Sequence, residues 1–218
     1  MNDLSTDLQL FLDELTQFGS QEERKLDLLS AKTQYFSYIG EVFEDDRQFE
    51  IRMSGFLDWY LFDRRQPGLG LSPVQECYLE SIRARNAARA RGFRGLTETL
   101  HSLFSVSKVS AGGVLVTDLI SKLPFEVSER RAMKGIEEGD LLETRLIPFG
   151  GSLFFSQSLC VHPRVAAPLV LAESRRRSLE SGEERQKFIW ECAKMSLKVD
   201  RYRQISVEKI YDFRNRVI

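Results

Sequence analysis

The chain has 218 residues, 42% of them hydrophobic and 29% charged, and its 23 aromatic side chains include 15 Phe. This length and this aromatic content are typical of a folded protein with one large core or two small ones, and they argue against a disordered chain. The longest aliphatic run, residues 165–172, is interrupted by Pro168. It is far shorter than the roughly 20 residues of a membrane-spanning helix. The first residues show no secretory signal pattern, so a cytoplasmic protein is expected.

The formal net charge of −1 conceals an uneven distribution of charge along the chain. Residues 1–63 carry a net charge of −9, residues 64–94 carry +5, residues 95–162 carry −2 and residues 163–218 carry +5. The near-neutral total is therefore a cancellation between an acidic first segment and two basic ones. The opposite charges either pair within the molecule or face outside partners, and the sequence leaves both alternatives open.

Apolar residues at helical spacing predict helices over residues 4–18, 22–43 and 48–62, with Gly19 ending the first. In the second helix, the residues expected to face inward are Leu26, Leu29, Tyr35 or Phe36, and Ile39. Ser72-Pro73 followed by Gln75 has the spacing of a capping box. This pattern predicts a fourth helix that begins at Pro73, runs to about Arg91 and stops at Gly92.

Short apolar runs replace the helical pattern between residues 102 and 162. They cover residues 103–109, 114–117, 124–127, 141–148 and 153–161, and they predict five strands. One helical turn is expected over residues 130–138, and Gly150-Gly151 is typical of a two-residue hairpin. Together these elements predict a small five-stranded barrel of the OB-like or SH3-like kind.

Helical patterns return after residue 163, with Ser181 and Ser206 as candidate helix caps. The predicted fold class is therefore α+β. A helical segment covers residues 1–95, the small β barrel covers residues 96–162, and C-terminal helices over residues 163–218 pack on the barrel. The three segments are expected either as separate units or as one integrated unit.

The segment over residues 56–63 is the densest in aromatic side chains. It contains Phe56, Trp59, Tyr60 and Asp63, and further along the chain stand Gly139-Asp140-Leu141 and Arg145-Leu146-Ile147-Pro148. On these residues the chain resembles a group of uncharacterised bacterial cytosolic proteins with an F-x-x-W-[FY]-x-x-D helix before a small β domain. The resemblance covers about half the chain and implies no activity. Some members carry a cysteine-rich SEC-C zinc tail, a feature this sequence lacks, so its metal binding is not implied.

Three residues of this segment have two alternative interpretations each. Aromatic side chains at helical spacing usually form core, so Trp59 and Tyr60 are expected to pack between helix and barrel. The alternative is that Trp59 or Tyr60 stacks on a ligand. Asp63 is followed by Arg64 and Arg65, and it is expected to cap a turn or to pair with an arginine.

Two groups of basic residues are candidates for phosphate contacts. The first is Arg83, Arg85, Arg89, Arg91 and Arg94, and the second is Lys194, Lys198 and Arg201. The first group has no acid within it, but helical spacing spreads it around the helix, and cations also suit a helix C-terminus. The second group shares one helix face at spacing i, i+4, i+7. A solvated face, or a match for the acidic first segment, is favoured over nucleic-acid binding for a chain of pI near 6.2.

The sequence contains none of the common catalytic motifs. Cys77, Cys160 and Cys192 are widely spaced and are expected to be buried free thiols, and the pair Cys160 and His162 fits a dyad poorly. No catalytic residue, metal site or cofactor is therefore expected. The predicted function is that of a non-catalytic cytoplasmic binding or regulatory protein with a protein partner. The alternatives are a nucleic-acid-binding module, which uses the barrel and the arginine-rich helices, and a small-ligand sensor.

Overall fold

The computed structural model describes residues 4–128 and 135–214, and within these ranges the chain forms eight α-helices and six strands. The helices are α1 (Leu4–Gly19), α2 (Lys25–Ile39), α3 (Phe49–Asp58), α4 (Pro73–Arg83), α5 (Ala87–Leu96), α6 (Ala167–Arg176), α7 (Gly182–Arg201) and α8 (Val207–Ile210). The strands are β1 (Leu100–Ser110), β2 (Gly113–Asp118), β3 (Pro124–Ser128), β4 (Leu141–Phe149), β5 (Ser152–Phe155) and β6 (Cys160–His162). The α+β fold class is thus confirmed.

The second helix is shorter than the sequence pattern predicts. It ends at Gly40, which adopts a φ of +95° and donates its N–H to the carbonyl oxygen of Phe36 at 2.9 Å. This left-handed conformation suits glycine because it lacks a Cβ, and it turns the chain before α3. The expectation of a helix reaching Phe43 was therefore wrong.

The third helix changes its winding at its C-terminal end. Residues Trp59–Asp63 form a π-helical turn, and the N–H of Arg64 donates to the carbonyl oxygen of Trp59 at 2.9 Å, five residues back. Such wider turns are rare and frequently coincide with functionally or structurally constrained positions. Here the turn carries the aromatic segment and places Asp63 at its end.

The predicted fourth helix is two helices, α4 and α5. The chain breaks at Arg85, which has a φ of +54°, and Asn86 then caps α5 by accepting the N–H of Arg89 at 3.1 Å. Gly92 does not end a helix, as the sequence pattern suggested, but lies within α5. A Cβ at Gly92 would come 2.2 Å from the Phe11 ring, so glycine here allows α1 to approach closely.

The strands form one curled antiparallel sheet with the order β3-β2-β1-β4-β5. β1 is long enough to pair with β4 through its first half and with β2 through its second, with an irregularity between Val106 and Lys108. Such irregularities bend a strand. The sheet curls into a half-barrel, and β3 and β5 come into contact. Whether it is OB-like or SH3-like stays a prediction, and the helical turn over residues 130–138 falls mostly on residues that the structure does not describe.

The fifth predicted strand is interrupted rather than continuous. β5 and β6 both pair with the same edge of β4, the first near Phe149 and the second near Leu141. The N–H of Ser156 still donates to the Arg145 carbonyl oxygen at 2.9 Å, and residues 157–159 then leave the ladder. The hairpin at Gly150-Gly151 is confirmed, with φ values of +58° and +83° at its two glycines.

The buried apolar side chains form three clusters that tie the elements together. One fills the half-barrel, one lies between the sheet and the C-terminal helices, and one joins α1 to α5 with Ile147 of β4 and Trp190 of α7. The N-terminal helices therefore share a core with both the sheet and α7. None of the helices described is both long and apolar enough to cross a bilayer.

Candidate functional site

A buried polar network lies where α3 packs on β4. Arg52, 2% exposed, donates from Nη1 to the two carboxylate oxygens of Glu143 at 2.9 and 3.1 Å. Its Nε donates to Oε1 of Gln48 at 2.9 Å, and its Nη2 lies 3.5 Å from the Sγ of Cys160. Gln48 and Arg52 are four residues apart, so both lie on the helix face that meets the sheet.

The same network reaches α7. The amide nitrogen of Gln48 donates to Oγ of Ser196 at 3.0 Å and to Oδ2 of Asp200 at 2.7 Å. Gln48 thus accepts a hydrogen bond from Arg52 and donates hydrogen bonds to two residues of α7. This arrangement fixes α3 against both β4 and α7.

A second ion pair lies two residues further along β4. Nη1 of Arg145 donates to Oδ1 of Asp63 at 3.0 Å and to Oγ1 of Thr99 at 2.8 Å, and Nη2 contacts Oδ2 of Asp63. Arg145 is 1% exposed, and its guanidinium lies 5.0 Å from the ring centroid of Phe62. Glu143 and Arg145 share one sheet face because side chains alternate along a strand. Of the two sequence alternatives for Asp63, pairing with an arginine is the one that the structure adopts.

Burial and charge act in opposite directions on these groups. Burial alone would raise the pKa of Glu143, but the charge of Arg52 and the neighbouring imidazole of His162 together outweigh it and hold that pKa at about 2. Burial would likewise lower the pKa values of Arg52 and Arg145, but Glu143 and Asp63 respectively raise them. Both arginines and Glu143 are therefore charged at neutral pH.

Asp58 and His101 lie near the Arg145 end of the network. Burial raises the pKa of Asp58, against the charge of Arg145 and the hydroxyl of Ser158, which donates to Oδ2 at 2.7 Å. Burial lowers the pKa of His101, and the charge of Arg145 lowers it further. The imidazole of His101 is thus neutral at pH 7.

The network contains groups that catalysis often uses, but they are sealed from solvent. Nδ1 of His162 lies 2.7 Å from the hydroxyl of Tyr211, and its Nε2 is 3.4 Å from Oε2 of Glu143 without the geometry of a hydrogen bond. His162, Tyr211 and Glu143 are all at most 4% exposed. They serve as internal polar contacts between β4, β6 and the C-terminal segment.

The three cysteines are buried free thiols, as expected. Burial raises the pKa values of Cys77, Cys160 and Cys192, which keeps the thiols protonated and unreactive. Sγ of Cys160 approaches Arg52, Gln48 and Ser196. Within residues 4–128 and 135–214, no group of three or more His, Cys, Asp or Glu side chains could hold a metal ion.

Trp59 and Tyr60 lie in the core. Trp59 is 7% exposed, with ring centroids 5.6 Å from Tyr35 and 5.9 Å from Trp190, and Tyr60 is fully buried with its hydroxyl 3.3 Å from the Gly19 carbonyl oxygen. This placement agrees with the core interpretation. The idea that either ring stacks on a ligand stays a prediction, for which the structure offers no exposed ring face at Trp59.

The first basic group divides into one inward and four outward arginines. Arg89 donates to Oε1 of Glu14, to Oγ of Ser81 and to the carbonyl oxygen of Cys77, at 2.6 to 3.2 Å. It therefore fastens α5 to α1 and α4. The exposed members are Arg83, Arg85, Arg91 and Arg94.

The second basic group divides in the same way. Arg201 contacts both carboxylate oxygens of Asp46 and donates to the Glu41 carbonyl oxygen at 2.6 Å, so it is engaged within the chain. Lys194 is exposed, and Lys198 is half-buried with a pKa lowered by burial and by the charge of Lys194. One member of each basic group, Arg89 in the first and Arg201 in the second, is thus bonded to acids within the chain.

An apolar groove lies on the outer surface where α2 meets α3. We call it the α2–α3 groove, and its volume is about 390 Å³. Its apolar lining is Phe36, Val42, Phe43, Phe49 and Met53. Two exposed leucines lie on the same face of α2, Leu26 at 83% and Leu29 at 55% exposed, and the exposed Thr33 lies between Leu29 and the groove. Leu26, Leu29, Thr33 and Phe36 follow the spacing i, i+3, i+7, i+10 and therefore share one helix face.

The turn that bears Phe43 is held in place. The N–H of Phe43 donates to Oδ2 of Asp46 at 2.8 Å, and the N–H of Asp46 returns to the Phe43 carbonyl oxygen at 2.9 Å. Arg201 binds Asp46 and the backbone at Glu41, and its guanidinium lies 5.3 Å from the Phe43 ring centroid. Phe43 is nevertheless 54% exposed. The groove wall is therefore preformed.

Sequence reasoning missed this groove because it assigned Leu26 and Leu29 to the core. The buried stripe of α2 is formed by Ala31, Tyr35 and Ile39, and the buried Phe36 lies at the edge of this stripe. Spacing alone could have revealed the second stripe, because Leu26, Leu29 and Phe36 are not on the face of Ala31 and Ile39. The inward assignment of Leu26 and Leu29 was therefore wrong.

These features define an α+β protein with an antiparallel half-barrel, a sealed ionic network and a preformed apolar groove. Comparison with protein-family models matches residues 23–196 to a family of unknown function, DUF7986. The match covers more than half of the chain, so the chain belongs to this family. Neither the search of curated proteins nor that of solved structures found a match. The expectation of an uncharacterised group without a transferable activity is thus confirmed.

Proposed function

We propose that this chain is a non-catalytic cytoplasmic binding protein that acts through protein–protein contact at the α2–α3 groove. The observation that supports this proposal is the apolar surface formed by that groove together with Leu26 and Leu29. Single exposed apolar residues are ordinary on monomers, whereas contiguous apolar surface marks interaction sites. Because Arg201 already holds the turn that bears Phe43, less conformational entropy is lost when a partner binds.

The pairing of charges inside the molecule supports an apolar contact over a phosphate contact. Three arginines of the basic segments bind acids of the acidic first segment, in the pairs Arg64–Asp27, Arg89–Glu14 and Arg201–Asp46. Part of the segregated charge is therefore matched within the chain. The polar network of Arg52 and Glu143 is sealed, which supports a structural role rather than chemistry on a substrate.

A second candidate function is nucleic-acid binding through the α4–α5 corner. The observation that favours it is that Arg83, Arg85, Arg91 and Arg94 point to solvent there. Arg91 and Arg94 are three residues apart and share one face of α5. This function predicts binding of single-stranded DNA or RNA that weakens steeply with salt. Absence of a mobility shift at low salt would remove it.

Site-specific photocrosslinking tests the first proposal. A photoreactive phenylalanine analogue replaces Phe43 in one protein and Leu123, which is 57% exposed on another part of the surface, in a control. The proposal expects a discrete adduct from position 43 in cell extract that protease removes and nuclease leaves intact. A nuclease-sensitive adduct, or equal adducts from positions 43 and 123, would overturn it.

A further inference from the structure

We infer that the α2–α3 groove receives a cationic amphipathic helix, with apolar anchors on one face and Lys or Arg on its flanks. This inference rests on the proposed function, because it names the partner chemistry of the same groove. It is carried by the combination of an apolar strip of helical length with an acidic rim.

The rim of the groove is acidic on the side of the α2–α3 turn. Glu41 lines the groove itself, Glu44 and Asp45 follow within the turn, and Glu50 adjoins the lining residue Phe49; all four are exposed. Their basic neighbours there are Lys32, which also lines the groove, Arg47, and Arg201, which is paired with Asp46. A partner with Lys or Arg beside its apolar anchors would meet opposite charge on this side, and an acidic partner would be repelled.

The end of the strip near Leu26 also carries negatively charged side chains. Glu22 and Glu23 are exposed in the short 3-10 turn before α2, next to Leu26, and Lys25 pairs with Glu22 at 3.2 Å. Acidic side chains therefore stand at both ends of the apolar strip. A bound helix could place basic residues near each of its ends.

The length of the strip matches a helix of about three turns. Ten residues separate Leu26 from Phe36, which at 1.5 Å per residue is about 15 Å. The groove lined by Phe43, Phe49 and Met53 extends the surface beyond Phe36. Helices that lie in apolar grooves use anchors at i, i+3, i+4 and i+7, and these span about 10 to 15 Å.

A second copy of this chain fits the same surface less well. A symmetric dimer joins the same patch on both subunits, so the acidic rims around Glu44 and Asp45 would lie close to their counterparts. Like charges at an interface disfavour association. The acidic rim therefore favours a basic partner over self-association.

Two synthetic peptides test the partner chemistry directly. Both are 18 residues long with Leu at helical i, i+3, i+4, i+7 spacing; one carries Lys and the other Glu at the remaining positions, and each bears a fluorophore. Fluorescence anisotropy measures their binding to the full chain at low and at physiological salt. We expect the Lys peptide to bind at least tenfold more tightly than the Glu peptide.

Surface variants then locate the binding. Leu29→Asp and Phe43→Ser, both at exposed positions, should each weaken Lys-peptide binding about tenfold, whereas Leu123→Asp should leave it unchanged. The triple variant E44K/D45K/E50K should reverse the preference toward the Glu peptide. Circular dichroism confirms that each variant is folded, and exposure of every substituted side chain makes this control informative.

Other outcomes would overturn the inference. Equal binding of both peptides, binding that survives Leu29→Asp and Phe43→Ser, or a dimer in sedimentation that Phe43→Ser dissolves would each contradict a cationic helix in the groove. If neither peptide binds while position 43 still crosslinks a protein, the partner chemistry is wrong and the proposed function stands. If position 43 also fails to crosslink, the proposed function fails as well.

Discussion

Asp63, at the end of the π-helical turn, and Arg145, in the middle of β4, form an ion pair across 82 residues of chain. A second pair, Arg52 with Glu143, lies beside it. The helix therefore presents a positive and then a negative group, and the strand presents the reverse order. Residues 52 and 63 are eleven apart, which is about three helical turns, so both meet the sheet.

The Asp63–Arg145 pair connects the two sequence segments that carry the resemblance to an uncharacterised group of proteins. Asp63 ends the F-x-x-W-[FY]-x-x-D segment, and Arg145 begins the Arg145-Leu146-Ile147-Pro148 segment. Because each of these charges on the helix meets an opposite charge on the strand, the two pairs favour this placement of the helix on the sheet. Asp63 and Arg145 of the motif thus join helix and strand in the folded chain.

Removal of one partner should be costly because it leaves a buried charge. Asp63→Asn is expected to lower the free energy of unfolding by about 1–3 kcal/mol, below the full cost of a broken buried pair because the Asp63 side chain is 32% exposed. Urea denaturation measures the change. Glu183→Gln, which breaks the surface pair with Lys187, serves as the control and should leave the midpoint unchanged. Equal effects of the two substitutions would contradict the structural role of Asp63.

Acid should selectively weaken the Arg52–Glu143 pair. The pKa of Glu143 is about 2 in the folded chain and close to 4.5 when unfolded. A lowered folded-state pKa contributes stability that is complete above pH 4.5 and is lost as the pH falls toward 2, on the order of 3 kcal/mol at about 1.4 kcal/mol per pKa unit. The difference in unfolding free energy between the natural chain and Glu143→Gln should therefore shrink between pH 5 and pH 3. A difference that does not change over this interval would show that the pKa of Glu143 is not depressed.

Close packing of α5 on the β4–β5 hairpin should make Gly95 intolerant of a side chain. A Cβ there would come 2.5 Å from the carbonyl oxygen of Pro148, a backbone atom that cannot rotate away. Gly95→Ala is expected to cost about 1–3 kcal/mol, as overpacking does. The matched control is Gly182→Ala at the start of α7, where nothing lies within 4 Å. Thermal unfolding measures the stability of both variants. Equal melting temperatures of Gly95→Ala and Gly182→Ala would refute the packing argument.

Arg201 should control the order of the turn that carries Phe43. Its hydrogen bonds lower the pKa of Asp46 and hold the backbone at Glu41. Arg201→Met keeps much of the apolar stem but removes these contacts, so the amides of residues 43 and 46 should exchange with deuterium about tenfold faster. Arg203→Met, at an exposed neighbouring arginine, is the control. Unchanged exchange at both amides would mean that Arg201 does not hold the groove wall.

The sequence predicted those parts of the fold that depend on local chemistry. Gln75 accepts the N–H of Ser72 at 3.0 Å, and Oγ of Ser181 accepts the N–H of Glu184 at 3.1 Å, so both helix starts follow the capping pattern. The Gly150-Gly151 hairpin depends equally on local conformation. Such features are predictable because interacting groups lie within a few residues of each other.

The parts that the sequence did not predict depend on contacts between distant residues. The break at Arg85 adopts a conformation that is unfavourable for a non-glycine residue, while Arg89 beyond it bonds to Glu14 of α1. Local pattern predicts a helix stop at Gly92, because the contact that explains this glycine is with Phe11, 81 residues away in the chain. The outward direction of Leu26 and Leu29 likewise depends on which of two apolar stripes of α2 packs on α3 and α7. Periodicity cannot choose between them.

The central claim is that the α2–α3 groove is a protein-binding surface. The most direct measurement is the crosslink yield from a photoreactive residue at position 43, made in the otherwise natural chain and in the Leu29→Asp and Leu123→Asp backgrounds. We predict one protein adduct whose yield falls about tenfold with Leu29→Asp and is unaffected by Leu123→Asp. An adduct that forms equally in all three proteins would contradict the claim, and so would the absence of any protein adduct.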